Sequence, residues 1–321
     1  MTEIEYPQLA DYTWQPLSSD HIETIQAMHA ANAAATGTDE PPPEKIHGAL
    51  NMLGDRVATN SLVALTKDST VAALGLMLPQ PGTDQHQAHL DLTLHVDHNQ
   101  SALGGRAIGW LEKQAVQQLR PSLDDETTIV LRATCPDDNP RLGELFEEHG
   151  YQVFVTQIRM RRDLDQPIRE ILLPDEIKLI PYSPEYDDAM RMAFNAAFEG
   201  HWIGELGPEE WTERFTGTDK FAPELSKIAL VEDSVVGFYL SEIHPQAQGE
   251  AWLEVLGVIP SWRGHRLGVS LTTHALHKYK QAGYTHAGLD VDLENITNAM
   301  QLYEKLGFQK VKGTINFVKQ V

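Results

Sequence analysis

The sequence predicts an α/β (α+β) protein built from two tandem copies of one fold, each a mixed, mostly antiparallel sheet flanked by helices. Three observations carry that expectation. At 321 residues the chain has room for two ordinary domains, each with its own core. A succession of turn, helix, strand, helix and Gly-aromatic pair occurs twice over almost the same length, from Gly109 to Gly150-Tyr151 and from Gly268 to Gly307-Phe308, which marks an internal repeat. Ahead of each succession two apolar runs flank a short polar turn, 62–66 with 71–78 and 228–231 with 235–243, and each pair reads as a hairpin.

In chain order, residues 1–15 read as a terminal strand and Ser18-Ser19-Asp20 as a helix cap. Ile22, Ile25, Met28 and His29 form the stripe of a helix that Gly37 ends. Pro41-Pro42-Pro43 makes the next stretch a loop or stiff connector, with Asp39 and Glu40 either a solvated turn or a contact for an amine. A strand over 88–96 is followed by Gly104-Gly105-Arg106-Ala107-Ile108-Gly109, read as a turn before a helix striped by Ile108, Leu111, Ala115, Val116 and Leu119. Residues 127–134 form a strand, Asp138-Asn139-Pro140 opens a helix through Leu145-Phe146, and 153–162 closes the first copy. The segment 163–175, with Asp165, Pro167 and Pro174, reads as the linker, so the domains are expected at 1–165 and 174–321.

The second copy restarts at 178–181. A helix over 186–198 carries Ala189, Met190, Ala193 and Ala197, and Pro208 starts another. After the hairpin, the apolar strand 252–258 is stopped by Pro260, which cannot donate to a ladder. Leu267, Leu271, Ala275 and Tyr279 then recur at helical spacing, 285–291 is a strand, and Ala299, Leu302, Tyr303 and Leu306 share one face of a last helix capped by Gly307.

Composition narrows the function. A formal net charge of −21 argues against nucleic-acid binding and against a polybasic membrane patch. It suits a cationic or neutral substrate, though solubility alone explains acidity equally well. Cys135 is the single cysteine, so no intramolecular disulfide forms, and it reads as an inert buried thiol. His86, His89, His95 and His98 are scattered by strand alternation and loops, and no metal is expected. With no signal-like or membrane-spanning apolar run, the expectation is a cytoplasmic monomer or homodimer.

The chemistry gathers after Val258. Strand, a turn bearing Arg263, Gly264, His265 and Arg266, then a helix from about Leu267-Gly268: this arrangement aims backbone N–H groups and a positive helix end at an anion. These residues resemble the Arg/Gln-x-x-Gly-x-Gly/Ala pyrophosphate loop of the GNAT superfamily of acyl-CoA N-acyltransferases. Asn295, Ala299 and the run Leu302-Tyr303-Glu304-Lys305-Leu306-Gly307-Phe308 resemble that superfamily's second signature. In architecture the chain is similar to the tandem two-domain branch that includes mycothiol synthase. Arg266 departs from the pattern, standing where the family usually has Gly. A positive φ there would make Arg costly, and otherwise Arg266 adds a phosphate contact.

The resemblance implies an acyl-CoA-dependent N-acyltransferase that moves acetyl from acetyl-CoA to a primary amine of a small molecule or peptide. A non-catalytic acyl-CoA sensor is the alternative, and Tyr303 argues against it. Acetyl-CoA is expected on Val258, Ile259, Arg263, Gly264, His265, Arg266, Leu267, Gly268, Asn295 and Asn298, with the Val258 or Ile259 amide at the thioester carbonyl. Tyr303 matches the family's proton donor to the departing thiolate. Glu254 is the candidate base, with Glu250 the other carboxylate that could reach the amine through a water, unless both are plain surface carboxylates. Glu250, His201 and Trp202 are the candidate substrate contacts. In the first copy Phe146 replaces Tyr303, Gly104 and Ala107 stand opposite Arg263 and Arg266, and Asp138 replaces Asn295, so that copy is expected to bind CoA weakly at best through the Gly104–Gly109 amides and to carry out no chemistry.

Overall fold

Residues 4–38, 40–79, 86–99, 101–124, 127–244, 247, 249–293 and 299–321 are described by a computed structural model. The chain divides into two compact units, Met1–Gln157 with Gly313–Val321, and Ile158–Lys312.

In the first unit β1 (Thr13–Gln15), α1 (Ile22–Thr36), α2 (Glu44–Leu53) and the single turn α3 (Val57–Asn60) lead into the hairpin β2 (Ser61–Leu65) and β3 (Val71–Pro79). Then come β4 (Gln87–Leu94), α4 (Ser101–Leu119), β5 (Val130–Pro136), α5 (Pro140–Glu148) and β6 (Gln152–Asp163). Asn139 caps α5 by accepting from the Leu142 amide, and Pro140 supplies the preset φ of a first helical turn. The sheet runs β1-β2-β3-β4-β5 and then β12, with only β4 and β5 parallel to each other. One core lies under α4 and α5, around Leu103, Leu111, Leu145, Phe146 and Phe317, and a second under α1 and α2, around Ile25, Met28, Ile46 and Leu53.

The second unit repeats the plan. It holds β7 (Lys178–Pro181), α6 (Asp187–Ala197), the short α7 (Pro208–Trp211), β8 (Lys227–Val231), β9 (Ser234–Ile243), β10 (Glu250–Val258), α8 (Leu267–Gln281), β11 (His286–Asp292), α9 (Ala299–Lys305) and β12 (Gln309–Gln320). Its sheet runs β6-β11-β10-β9-β8-β7. Leu267, Leu271, Ala275 and Tyr279, the predicted stripe of α8, are buried on one face of that sheet with Tyr303 of α9. Phe194, Trp211 and Phe215 form the core on the other face.

Two expectations differ from the structure. A single cut between 165 and 174 does not describe the units. Residues 314–320 pair antiparallel with 130–136, which puts the end of β12 in the first unit, while 158–163 of β6 falls in the second. Ladder hydrogen bonds between strands far apart in sequence decide this, and no local residue pattern encodes them. Nor are Gly104 to Gly109 a turn: they lie inside α4, so their amides from Gly105 onward are spent on the helix ladder. A Cβ on Gly104 would fall 2.6 Å from Leu145 Cδ1, so this glycine serves close packing of α4 on α5, and CoA binding through the 104–109 amides is withdrawn.

Candidate active site

In the second unit β10 and β11 pair in parallel over 250–252 with 286–288 and over no further residues. β10 continues to Val258, so from Leu253 onward its edge facing β11 is open. On the other edge the register with β9 shifts between Leu253 and Val255, a bulge whose extra residue is Glu254. The bulge adds twist at the point where the two parallel strands part.

Backbone alternation sorts the candidate amides. The Ile259 amide donates to Val236 O at 3.1 Å, which commits it to β9 and removes it as a donor to a carbonyl. Its neighbour Val258, opposite Gly237, therefore turns its N–H towards the open edge, as does Leu256, which sequence reasoning overlooked.

Beyond β10 the chain makes a 3₁₀ turn at Pro260–Trp262 and enters α8 at Leu267. The first intrahelical bond runs from the Ser270 amide to Arg266 O, so Leu267, Gly268 and Val269 hold amides without a helical acceptor at the positive end of the helix. Gly264 has φ +81° and Arg266, as N-cap, φ +63°. The side chains of Arg263, His265 and Arg266 are exposed; Arg263 Nη2 donates to Ala197 O at the end of α6 (2.6 Å), and His265 Nδ1 lies 3.1 Å from Arg263 O. The backbone cradle and three cationic or donor side chains fit a pyrophosphate. Asn295 and Asn298 lie outside the described residues.

Glu254 opens onto a cavity of about 390 Å³ lined also by Arg159, Arg214, Glu242, Trp252 and Asp290. Burial, reinforced by Glu242 and Asp290 and opposed by Arg214, raises its carboxyl to about 7. Trp252 seats its indole over Gly288, where a Cβ would collide at 2.3 Å, and Arg159 lies 4.7 Å above the ring. Arg159 also grips Asp290 with two bonds, Nε to Oδ1 at 3.0 Å and Nη2 to Oδ2 at 2.8 Å. Arg214 reaches the cavity from a single π-helical turn, Thr212–Thr216.

Tyr303 is buried on α9 with its ring edge-on to Phe308 at 5.6 Å, and burial pushes its hydroxyl up to about 12. Among the described residues that hydroxyl has no hydrogen bond. The proposed substrate contacts divide differently. Glu250 stands 3.4 Å from Arg161 Nε and is not in the cavity lining; its strand position faces that cation first. His201 Nε2 lies 2.9 Å from Asp292 Oδ2, to which Trp202 Nε1 donates at 2.6 Å, so both rings pin their loop to the end of β11 instead of lining the cavity.

Residues 185–308 match the Acetyltransferase (GNAT) family. The chain is 30% identical over 315 residues to a mycothiol acetyltransferase of Salinispora tropica, covering 94% of both chains. It belongs to the GNAT acetyltransferases. This acetyltransferase shares its fold with a GCN5-related N-acetyltransferase from Sphaerobacter thermophilus (TM-score 0.75, 21% identity, 98% and 97% of the two chains). A tandem GNAT protein of the clavulanic acid biosynthesis pathway matches over 97% and 98% at 16% identity, with TM-score 0.56. The enzyme is thus an acetyl-CoA-dependent N-acetyltransferase acting on an amine.

The residues missed from sequence are those of the cavity wall. Arg159, Arg214, Glu242 and Asp290 come from β6, the π turn, β9 and β11, and no spacing links them. A faint signal existed in Glu242, the single carboxylate of the largely apolar β9. Cys135 is buried and its thiol is pushed up to about 12, first by burial, which leaves it no nucleophile. Among the described residues no helix is long and apolar enough to cross a membrane.

Proposed function

We propose that the second unit of this acetyltransferase performs the transfer, with Glu254 as base, Tyr303 as donor to the departing sulfur and the Val258 amide at the thioester oxygen. The observation that carries it is the placement of Glu254. It sits on the bulge of the strand whose open edge presents Val258 and whose end feeds the anion-binding turn, with a carboxyl near 7. Such a group is half ionised at neutral pH and can take a proton from an ammonium. The freed amine attacks the acetyl carbonyl, whose oxygen accepts from Val258. As the carbon–sulfur bond breaks, Tyr303 hydrogen-bonds the leaving sulfur. At about 12 the tyrosine stays protonated over the working range.

Amides of Leu267 and Gly268 with Gly264, His265, Arg263 and Arg266 hold the pyrophosphate; Asn295 and Asn298 are assigned to the cofactor by resemblance alone, since they lie outside the described residues. His201 and Trp202 shape the roof by fixing their loop on Asp292 and do not touch the acceptor. The first unit is not catalytic: Phe146, at the place of Tyr303 in the repeat, is fully buried against Tyr151 and Phe317 and has no hydroxyl.

The acceptor is a small-molecule amine of the kind acetylated by the mycothiol acetyltransferases. A cavity of about 390 Å³, whose wall mixes carboxylates, the Trp252 indole and the cations Arg159, Arg214 and Lys220, supports this over a peptide. Thiol release from acetyl-CoA, measured with the amine precursor of mycothiol, polyamines, amino sugars and an N-terminal peptide, tests it. Turnover with the small amines and none with the peptide is expected; preference for the peptide would overturn the assignment.

A further inference from the structure

Glu254 is not the only carboxylate that the cavity presents to an acceptor. Glu242 of β9 stands directly opposite Trp252, so its side chain emerges on the same sheet face as Trp252 and, two positions along β10, Glu254. It is buried, yet it lines the cavity. Of the permanent cations nearby, Arg159 is bonded twice to Asp290 and Arg161 pairs with Glu250, while Arg214 and Lys220 line the same cavity without a hydrogen bond to Glu242 among the described residues. Among the described residues Glu242 meets His244 Nε2 at 3.4 Å and the Thr218 hydroxyl at 3.5 Å, both long for a charged partner. A buried carboxylate so weakly paired costs free energy that an arriving cation recovers. The aromatic route to cation recognition is already used, because Arg159 covers the Trp252 ring and His244 meets its edge at 5.6 Å.

We propose that Glu242 and Glu254 together receive the acceptor as its ammonium ion, which makes this enzyme selective for amines that arrive protonated. The proposal rests on Glu254 being the base. Glu242 binds the ammonium and takes no part in the proton transfer. Glu254 takes one N–H proton, and the lone pair so released forms the N–C bond while the C–S bond breaks. Division of labour between the two carboxylates separates binding from chemistry, and a neutral molecule of the same shape meets two desolvated carboxylates with nothing to offer them.

The test uses the full chain as wild type, Glu242→Gln, Glu242→Asp and Glu254→Gln. Acceptor KM and kcat are measured at saturating acetyl-CoA, and the inhibition constants of choline and its uncharged isostere 3,3-dimethyl-1-butanol are compared. Loss of one charge-assisted contact predicts roughly a ten- to hundredfold rise in acceptor KM for Glu242→Gln, with a far smaller fall in kcat, and a similar collapse of the preference for choline. Glu242→Asp keeps the charge and restores part of that preference. An unchanged KM and choline preference in Glu242→Gln, or equal inhibition of the wild type by the two probes, overturns the proposal. Retention of kcat by Glu254→Gln instead overturns the base assignment, which the Glu242 variants do not report.

Discussion

Arg162 Nη1 donates to the carbonyl of Leu306 across 2.5 Å, so a buried cation of β6 closes the C-terminal end of α9, the helix that carries Tyr303. Its Nη2 donates to Pro167 O at 2.8 Å, and Gly307, at φ +88°, leaves room for the guanidinium where a Cβ would stand 3.4 Å from it. Arg162→Met removes that cap and leaves buried carbonyls unpaired. It should cost roughly 1–3 kcal/mol of stability. Because α9 holds the Tyr303 hydroxyl in place, kcat should fall while acetyl-CoA affinity holds. Calorimetric melting with steady-state kinetics checks both; a lower Tm with unaltered kcat would show that Tyr303 is positioned by other contacts.

Glu254 should set the acid limb of the pH–rate profile. A base with its carboxyl near 7 is protonated and idle below that pH, so kcat/KM should rise through about pH 7 and then level off. Glu254→Gln should lose about 10²–10⁴-fold in rate and the limb with it. A limb that persists in the variant belongs to another group.

The same carboxyl should make the protein less stable as pH rises. Its folded value lies above the ordinary 4.5, so the native state holds the proton more tightly than the unfolded chain. The contribution is fully present below about pH 4.5 and is lost as pH climbs to about 7, some 3 kcal/mol at most. Glu254→Gln should therefore be more stable than wild type at pH 8 and lose that advantage near pH 4.5. Denaturant titrations at the two pH values decide it, and a variant destabilised at both would contradict the sign.

Tyr303→Phe keeps the ring against Phe308 and deletes only the donor. Turnover should drop about 10²-fold or more with acetyl-CoA affinity within a few-fold of wild type. A fall of less than tenfold across the alkaline range would remove Tyr303 from the reaction.

Arg266 occupies a left-handed backbone conformation at φ +63° without being Gly. That conformation costs a side-chain-bearing residue about 1–2 kcal/mol, part of which the entropy of an unfolded Gly offsets. Arg266→Gly should thus raise stability by up to about 1 kcal/mol while weakening acetyl-CoA binding if the guanidinium meets phosphate. Titration calorimetry beside thermal melting separates the two effects; a variant that binds as tightly as wild type would leave Arg266 a strained bystander.

By itself the sequence determined most of the elements and the turn and helix that follow β10. The stripe Leu267, Leu271, Ala275 and Tyr279, the stop at Pro260, the cap at Gly307 and the glycines at 264 and 268 act over a few residues each, so their spacing is their structure. The tertiary structure alone decided the cavity around Glu254. Glu254 became distinctive because a one-residue bulge and the parting of β10 from β11 bury it beside Glu242 and Asp290, which lie on separate strands. Ile259 lost its assigned amide to a cross-strand partner, Glu250 was held by Arg161, and the Gly104 turn became helix because Leu145 packs against it. Exchange of strand ends between the units had the same origin. Each depends on which distant backbone supplies the next hydrogen bond or contact, a choice that periodicity along one strand does not record.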